Sequence, residues 1–213
     1  MPTFEADYME GLRLYYLQKY DESAPLLTRT AEAGDAKAQH FLAMMYENGN
    51  GIERDFAKAA YWYGRTAEQG DREAQLTYAM ICALGKGVEA DLAAACHWAT
   101  RSYHQGNDKA RQTLEIIRAQ ASAEAAAATE AFKAAQRAND PDEAKRQLEI
   151  AAECGSANAQ FALFQLLYDG RGVDEDKTAA LLWLRDAAQQ GHAEARKLLA
   201  AYEDGAGAEE TEA

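Results

Sequence analysis

A pattern of 36 residues returns three times in this chain, and a fixed internal period constrains a fold more tightly than any single motif. Residues 36–71, 72–107 and 157–192 align without gaps. Their shared columns are an Ala-Gln pair (Ala38-Gln39, Ala74-Gln75, Ala159-Gln160), a Gly-x-Gly loop (Gly49/Gly51, Gly85/Gly87, Gly170/Gly172) and an Asp (Asp55, Asp91, Asp176). A Trp (Trp62, Trp98, Trp183) and a closing Gly (Gly70, Gly106, Gly191) complete each copy. The second and third copies lie 85 residues apart, which leaves room for another unit that is 13 residues too long. Its anchors are Ala110, Asp140, Ala144 and Gly155. Upstream, RTAEAGDAKAQ (29–39) returns as RTAEQGDREAQ (65–75), so residues 4–35 form a first unit without the Gly-x-Gly loop. Downstream, residues 193–203 begin a sixth unit and stop after one helix. The chain reads as a single repeat domain over 1–203, with units at 4–35, 36–71, 72–107, 108–156 and 157–192 and a capping helix at 193–203.

Each unit reads as two helices. The first places Ala38, Phe41, Leu42, Met45 and Tyr46 at helical spacing and stops at glycines that supply positive φ. The second starts after Asp55, Asp91, Asp140 or Asp176, whose carboxylates can accept from the orphan N–H groups of the first turn. Pro141 follows Asp140, the favoured place for proline at a helix start. One helix pair cannot bury its apolar stripe alone, so successive pairs must stack into an all-α solenoid.

Composition narrows the partner class. Asp and Glu outnumber Lys and Arg 35 to 22, a formal charge of −13, which disfavours nucleic acid and anionic membrane surfaces. The three Cys are too few and odd in number for a disulfide scaffold, and the N-terminal MPTFEADYMEGLRL has neither the basic start nor the apolar stretch of a signal peptide. The expectation is a soluble, cytoplasmic protein.

AKAQHFLAMMYENGNGIERDFAKAAYWYGRTAEQGD resembles the Sel-1-like repeat, a relative of the tetratricopeptide repeat. The match rests on AQxxLxxxYxxGxG, then Asp, then Ala, Trp and AExG at fixed offsets, and two degenerate copies extend it over nearly the whole chain. The resemblance implies a right-handed superhelix whose first helices line a concave groove, and an adaptor or scaffold that holds a protein or peptide there. The fourth unit departs from the pattern, with Gln147 in place of Trp and no Gly-x-Gly. A cysteine-rich branch of the family carries a Cys pair per repeat; with only Cys82, Cys96 and Cys154 here, that branch's disulfides and β-lactam binding do not carry over.

Other chemistry finds little support in the residues. A phosphate loop joins a strand to a helix, whereas these Gly-x-Gly loops recur once per helix pair, so they read as turns. The three Trp share one phase of the second helices and read as packing between repeats. His40, His97, His104 and the Cys residues lack metal-ligand spacing, so no metal or cofactor is expected; Cys82 and Cys96 lie on facing helices, leaving thiols or a disulfide open. No catalytic triad order stands out. Ala121–Ala138 holds ten Ala in 18 residues and reads either as an extension that makes one helix of about 30 residues or as a bent helix broken near Ser122. Residues 204–213 read as a disordered acidic tail.

Counting helical steps from the Ala-Gln pair selects the residues facing the groove. They are Tyr8 and Leu12 in the first unit, Lys37, His40, Met44 and Glu47 in the second, and Glu73, Leu76 and Met80 in the third. The fourth unit contributes Gln112 and Ile116, and the fifth Phe161, Gln165 and Tyr168, with Asn158 on the same face. Met44, Leu76, Met80, Ile116 and Phe161 form an apolar stripe inside an acidic rim, which suits a basic or amphipathic segment, unless those side chains pack on one another. Beside the non-enzymatic scaffold stand three alternatives: an immunity-type inhibitor of a bacterial toxin, a β-lactam-binding or hydrolysing enzyme, and a self-assembling structural protein.

Overall fold

A computed structural model describes residues 4–138, 140–170 and 176–209. Among them the chain forms twelve helices: α1 (Phe4–Tyr16), α2 (Tyr20–Glu32), α3 (Ala36–Asn48), α4 (Phe56–Glu68), α5 (Arg72–Leu84) and α6 (Leu92–His104), then α7 (Asp108–Gln120), α8 (Ser122–Ala138), α9 (Pro141–Glu153), α10 (Ala157–Asp169), α11 (Lys177–Gln189) and α12 (Ala193–Glu209). They fold as two compact units, Met1–Glu115 and Ile116–Ala213, with the boundary inside α7. In the first unit the hairpins α1/α2, α3/α4 and α5/α6 pack internally, and α2 packs on α3 and α4 on α5. The second unit repeats the scheme with hairpins α8/α9 and α10/α11, α9 against α10, and α12 against α11.

The helix starts are built as the sequence implies. Asp55 accepts from the N–H of Ala57 and Lys58, Asp91 from Ala94, Asp140 from Glu143 and Asp176 from Ala179. First helices are capped as well, by Asp35 on Ala38, Asp71 on Ala74 and Ser156 on Ala159. Each such cap satisfies a donor that the helix itself leaves unpaired, typically worth about 1 kcal/mol.

The Ala-Gln column carries the stacking. Ala38 and Ala74 are fully buried and let the next helix approach closely. The buried Gln39, Gln75 and Gln160 each donate from Nε2 to a carbonyl in the last turn of the preceding second helix: Ala31 at 3.1 Å, Ala67 at 3.2 Å and Ala152 at 2.9 Å. In the first unit Gln69 and Gln105 add a further bond, donating at 2.7 Å to Oε1 of Gln39 and Gln75.

The two glycines of the loop do different work. Gly49 and Gly85 adopt φ of 75° and 65° as left-handed helix ends. Gly51 and Gly87 lie directly on the first turn of the preceding second helix: a Cβ there would come 2.4 Å from the Tyr20 carbonyl carbon or 2.1 Å from the Phe56 carbonyl oxygen. Gly172 and Arg171 lie outside the described residues.

The Ala-rich insert follows the bent alternative. Ala121 is a turn between α7 and α8, and it is α8 that pairs with α9. Ala125 and Ala128 are buried on α8, so small side chains let this helix approach closely. On α7, Arg118 is held inside the second unit. Its Nε donates to the Glu153 carbonyl at 2.8 Å, and its guanidinium pairs at 3.2 Å with Asp186 of α11, the two side chains being only 10% and 2% exposed. The C-terminal end also differs from expectation. Helix α12 continues through Gly205 to Glu209, because extending a formed helix needs no new nucleus; residues 210–213 lie outside the described residues. Cys82, Cys96 and Cys154 are buried, reduced thiols.

Two substitutions test this packing. Gly87→Ala should lower the denaturation midpoint clearly more than Gly70→Ala, where φ is also positive (95°) but a Cβ meets nothing within 4 Å. The control should cost about 1–2 kcal/mol for backbone strain alone. Asp186→Ala should cost about 3–5 kcal/mol, since it removes the carboxylate paired with the buried Arg118 guanidinium. Equal midpoints for both glycine variants, or an unaffected Asp186→Ala chain, would refute these assignments.

Candidate functional site

The residues selected on the first helices divide by column. Lys37, Glu73 and Asn158 share one column and are exposed on α3, α5 and α10. Two turns further on comes the column of Met44, Met80 and Gln165, in which Met80 is 42% exposed, Gln165 is exposed and Met44 rests partly on the core of α3 and α4. The intervening column is covered. Leu76 is buried at 7% exposure, His40 is half-buried, and Phe161 packs on the core of the second unit and stacks at 4.4 Å on His192. For Leu76 this is a correction: its side chain packs inside the protein and is not presented to a partner. Phe161 and Tyr168 likewise spend most of their surface on their own unit. Each first helix rotates this column toward its neighbours, so an apolar residue there serves stacking. Tyr8 and Leu12 on α1 are partly covered, and Tyr8 packs against the α2–α3 core. Gln112 on α7 is exposed in the first unit, and Ile116, 54% exposed, in the second.

A polar cluster joins α3 to α4 and to the α5–α6 loop. Tyr63 donates to Glu47 Oε2 at 2.9 Å, and Lys86 donates to Oε1 at 2.7 Å while lying 4.6 Å over the Phe56 ring. Burial opposes the Glu47 charge, but the bonds from Lys86 and Tyr63 outweigh it and hold the carboxyl below its ordinary range. Burial, together with the Glu47 charge, pushes the Tyr63 phenol far up. His40 lies beside Tyr63, ring centroids 5.7 Å apart. Its burial depresses basicity more than Asp71 and Glu73 restore it. Burial also pushes the Cys82 thiol up to about 11, which makes it a poor nucleophile. Glu47 accepts from both Tyr63 and Lys86, and the cluster braces the α3 face. Tyr63 and Lys86 escaped sequence reasoning because they lie on the second helix and in the loop. Among the described residues no three His, Cys, Asp or Glu side chains gather to hold a metal ion, and no helix is long and apolar enough to cross a membrane.

The second unit holds a cavity of about 320 Å³ between α8, α9 and α10. Phe132, Leu148, Ala151, Ala159 and Ala162 form its apolar wall. Thr129, Lys133, Gln136, Ser156 and Asn158 stand around it, and only Asn158 had been picked out by spacing. Its α8 side is formed by Thr129, Phe132, Lys133 and Gln136, and the small residues that leave the space are Ala151 on α9 and Ala159 and Ala162 on α10.

The repeat columns match the Sel1 repeat at residues 36–71, 72–107 and 157–192, about half of the sequence. The chain belongs to the Sel1 repeat family. No curated relative matches it. Among solved structures it is similar to a protective antigen of uropathogenic Escherichia coli displaying an SLR fold, with 25% identity and a TM-score of 0.53 over 94% of this chain and 49% of that one. The chain thus spans about half the length of the E. coli protein. A Sel1 repeat protein from Oxalobacter formigenes is 23% identical over 90% of this chain and 73% of its own, with a TM-score of 0.46. Cysteine rich protein B of Helicobacter pylori is 21% identical over 53% of this chain and 98% of its own, with a TM-score of 0.42. The Sel1 repeat frame explains why the Ala, Gln, Gly and Asp columns persist while the exposed first-helix columns vary from unit to unit.

Titration distinguishes the two groups on α3. The His40 ring should titrate below about 6.5 by NMR. Because its folded value is depressed, its contribution to stability is complete above the unfolded value and is lost as pH falls through the folded one. Glu47 follows the same sign at lower pH, so the stability lost in Glu47→Gln should shrink as pH drops below about 4. A His40 midpoint above 6.5, or a Glu47→Gln penalty that grows in acid, would contradict the described burial and bonding.

Proposed function

We propose that this Sel1 repeat protein is a non-enzymatic scaffold that binds a protein or peptide segment through the exposed columns of its first helices. Sel1 repeats commonly mediate protein–protein interaction. The observation that carries the reading for this chain is the column of Met44 and Met80 on α3 and α5, in which Met80 is exposed and Met44 half-buried, on helices that also expose the charged Lys37 and Glu73. Solvent alone would favour Lys or Glu at such positions, whereas methionine adapts to varied partner shapes. The net charge of −13 favours a basic or amphipathic segment, and disfavours nucleic acid and membrane as partners. The low, odd number of cysteines, all buried, supports a cytoplasmic setting.

The test captures a partner from an extract of the native host, then measures the purified partner by calorimetry against the wild type and Met44→Glu/Met80→Glu with matched helicity. The expected result is a stoichiometric partner whose affinity falls at least about tenfold in the variant, roughly 1.4 kcal/mol. Unchanged affinity, or no partner retained, would overturn the reading.

A further inference from the structure

The cavity between α8, α9 and α10 is distinct from the methionine column and lies in the unit that carries the insert. Its volume, about 320 Å³, falls at the small end of ligand sites. An apolar wall of Phe132, Leu148 and three alanines offers a buried charge no partner, which excludes an ionic group from its interior. The polar groups around it sort into two kinds. Thr129 donates to the Ala125 carbonyl at 2.8 Å, Ser156 accepts from the Ala159 N–H, and Lys133 donates to Glu130 at 2.7 Å, so all three are engaged within the chain. Gln136 and Asn158, from α8 and α10, present exposed side-chain amides, which can donate and accept at once. Donor and acceptor together match a peptide group.

We propose that this cavity takes one bulky apolar side chain, aromatic or branched, of an extended peptide whose flanking backbone amides bond Gln136 and Asn158. The inference rests on the peptide-binding reading above and adds to it a specificity pocket for a single residue. Asn158 is exposed on α10 at the cavity mouth, so a peptide lying along this helix would bring a side chain to it.

The experiment titrates the full chain, labelled at its Ala and Leu methyl groups, with N-acetyl-L-phenylalaninamide and separately with N-acetylglycinamide. The expected result is saturable shifts at Leu148, Ala151, Ala159 and Ala162 with the phenylalanine probe and none with the glycine probe. Ala162→Phe, which fills the space from a partly exposed wall, should abolish them. If that variant does not fold, Gln136→Ala/Asn158→Ala serves instead and should weaken binding several-fold with helicity unchanged. Absent shifts, equal shifts with both probes, or shifts unaltered in the variants would overturn the pocket. Binding of the captured partner, measured on the same variants, separates the two readings: a dead pocket with a retained partner removes only this inference, whereas probe binding without any partner removes the scaffold.

Discussion

The stacking depends on a buried glutamine that reaches back into the preceding unit. At Gln39, Gln75 and Gln160 the side-chain amide closes on a carbonyl that the previous helix has left in its last turn. Each of these carbonyls also accepts from the N–H of the glycine that ends its own helix (Gly34, Gly70 or Gly155), so the glutamine adds a second bond, one that crosses to the next repeat. The bond fixes the rotation of each first helix about its own axis. Rotation in turn decides which columns are covered, such as that of His40, Leu76 and Phe161, and which are exposed, such as that of Lys37, Glu73 and Asn158. Without that constraint an apolar stripe alone would allow several rotations of similar energy.

Function is then left to residues that stacking does not consume. The exposed first-helix columns differ between units, with Met44 and Met80 in one place and Gln165 in the equivalent place further along. The fourth unit varies the scheme by substitution of size. Its alanines Ala125 and Ala128 bring α8 close to α9, while a cavity lined on the α8 side by Thr129, Phe132, Lys133 and Gln136 opens against α10. The buried Arg118–Asp186 pair shows a related exchange. Where Arg111 replaces the glutamine of the Ala-Gln column, α7 is tied by another polar contact, from Arg118 to the end of α9 and to α11.

Much of the fold was legible because its determinants are local. Asp55, Asp91, Asp140 and Asp176 cap helices where their spacing says they should, and the paired glycines sit at positive φ or under a neighbouring backbone. The insert was legible only as two options, because alanine propensity is compatible with a straight helix and with the break at Ala121, and tertiary packing of α8 on α9 decides. The candidate site was less legible. Step counting found the exposed Lys37, Glu73 and Met80 but also selected Leu76, because residues on one helix face still differ in what the next unit covers. The Tyr63–Glu47–Lys86 cluster and the cavity draw residues from separate elements, and no single-helix period reports them.

If the glutamine couples neighbouring repeats, Gln75 is the place to measure it, since it both donates to Ala67 and accepts from Gln105. The decisive measurement is native-state hydrogen exchange across Gln75→Leu, a substitution close in volume that keeps the site apolar. The expected result is a loss of protection concentrated in α4 and α5, by about 1–3 kcal/mol, with α10 and α11 unchanged. Undiminished protection in α4 and α5 would contradict it and leave apolar contact alone to hold the repeats together.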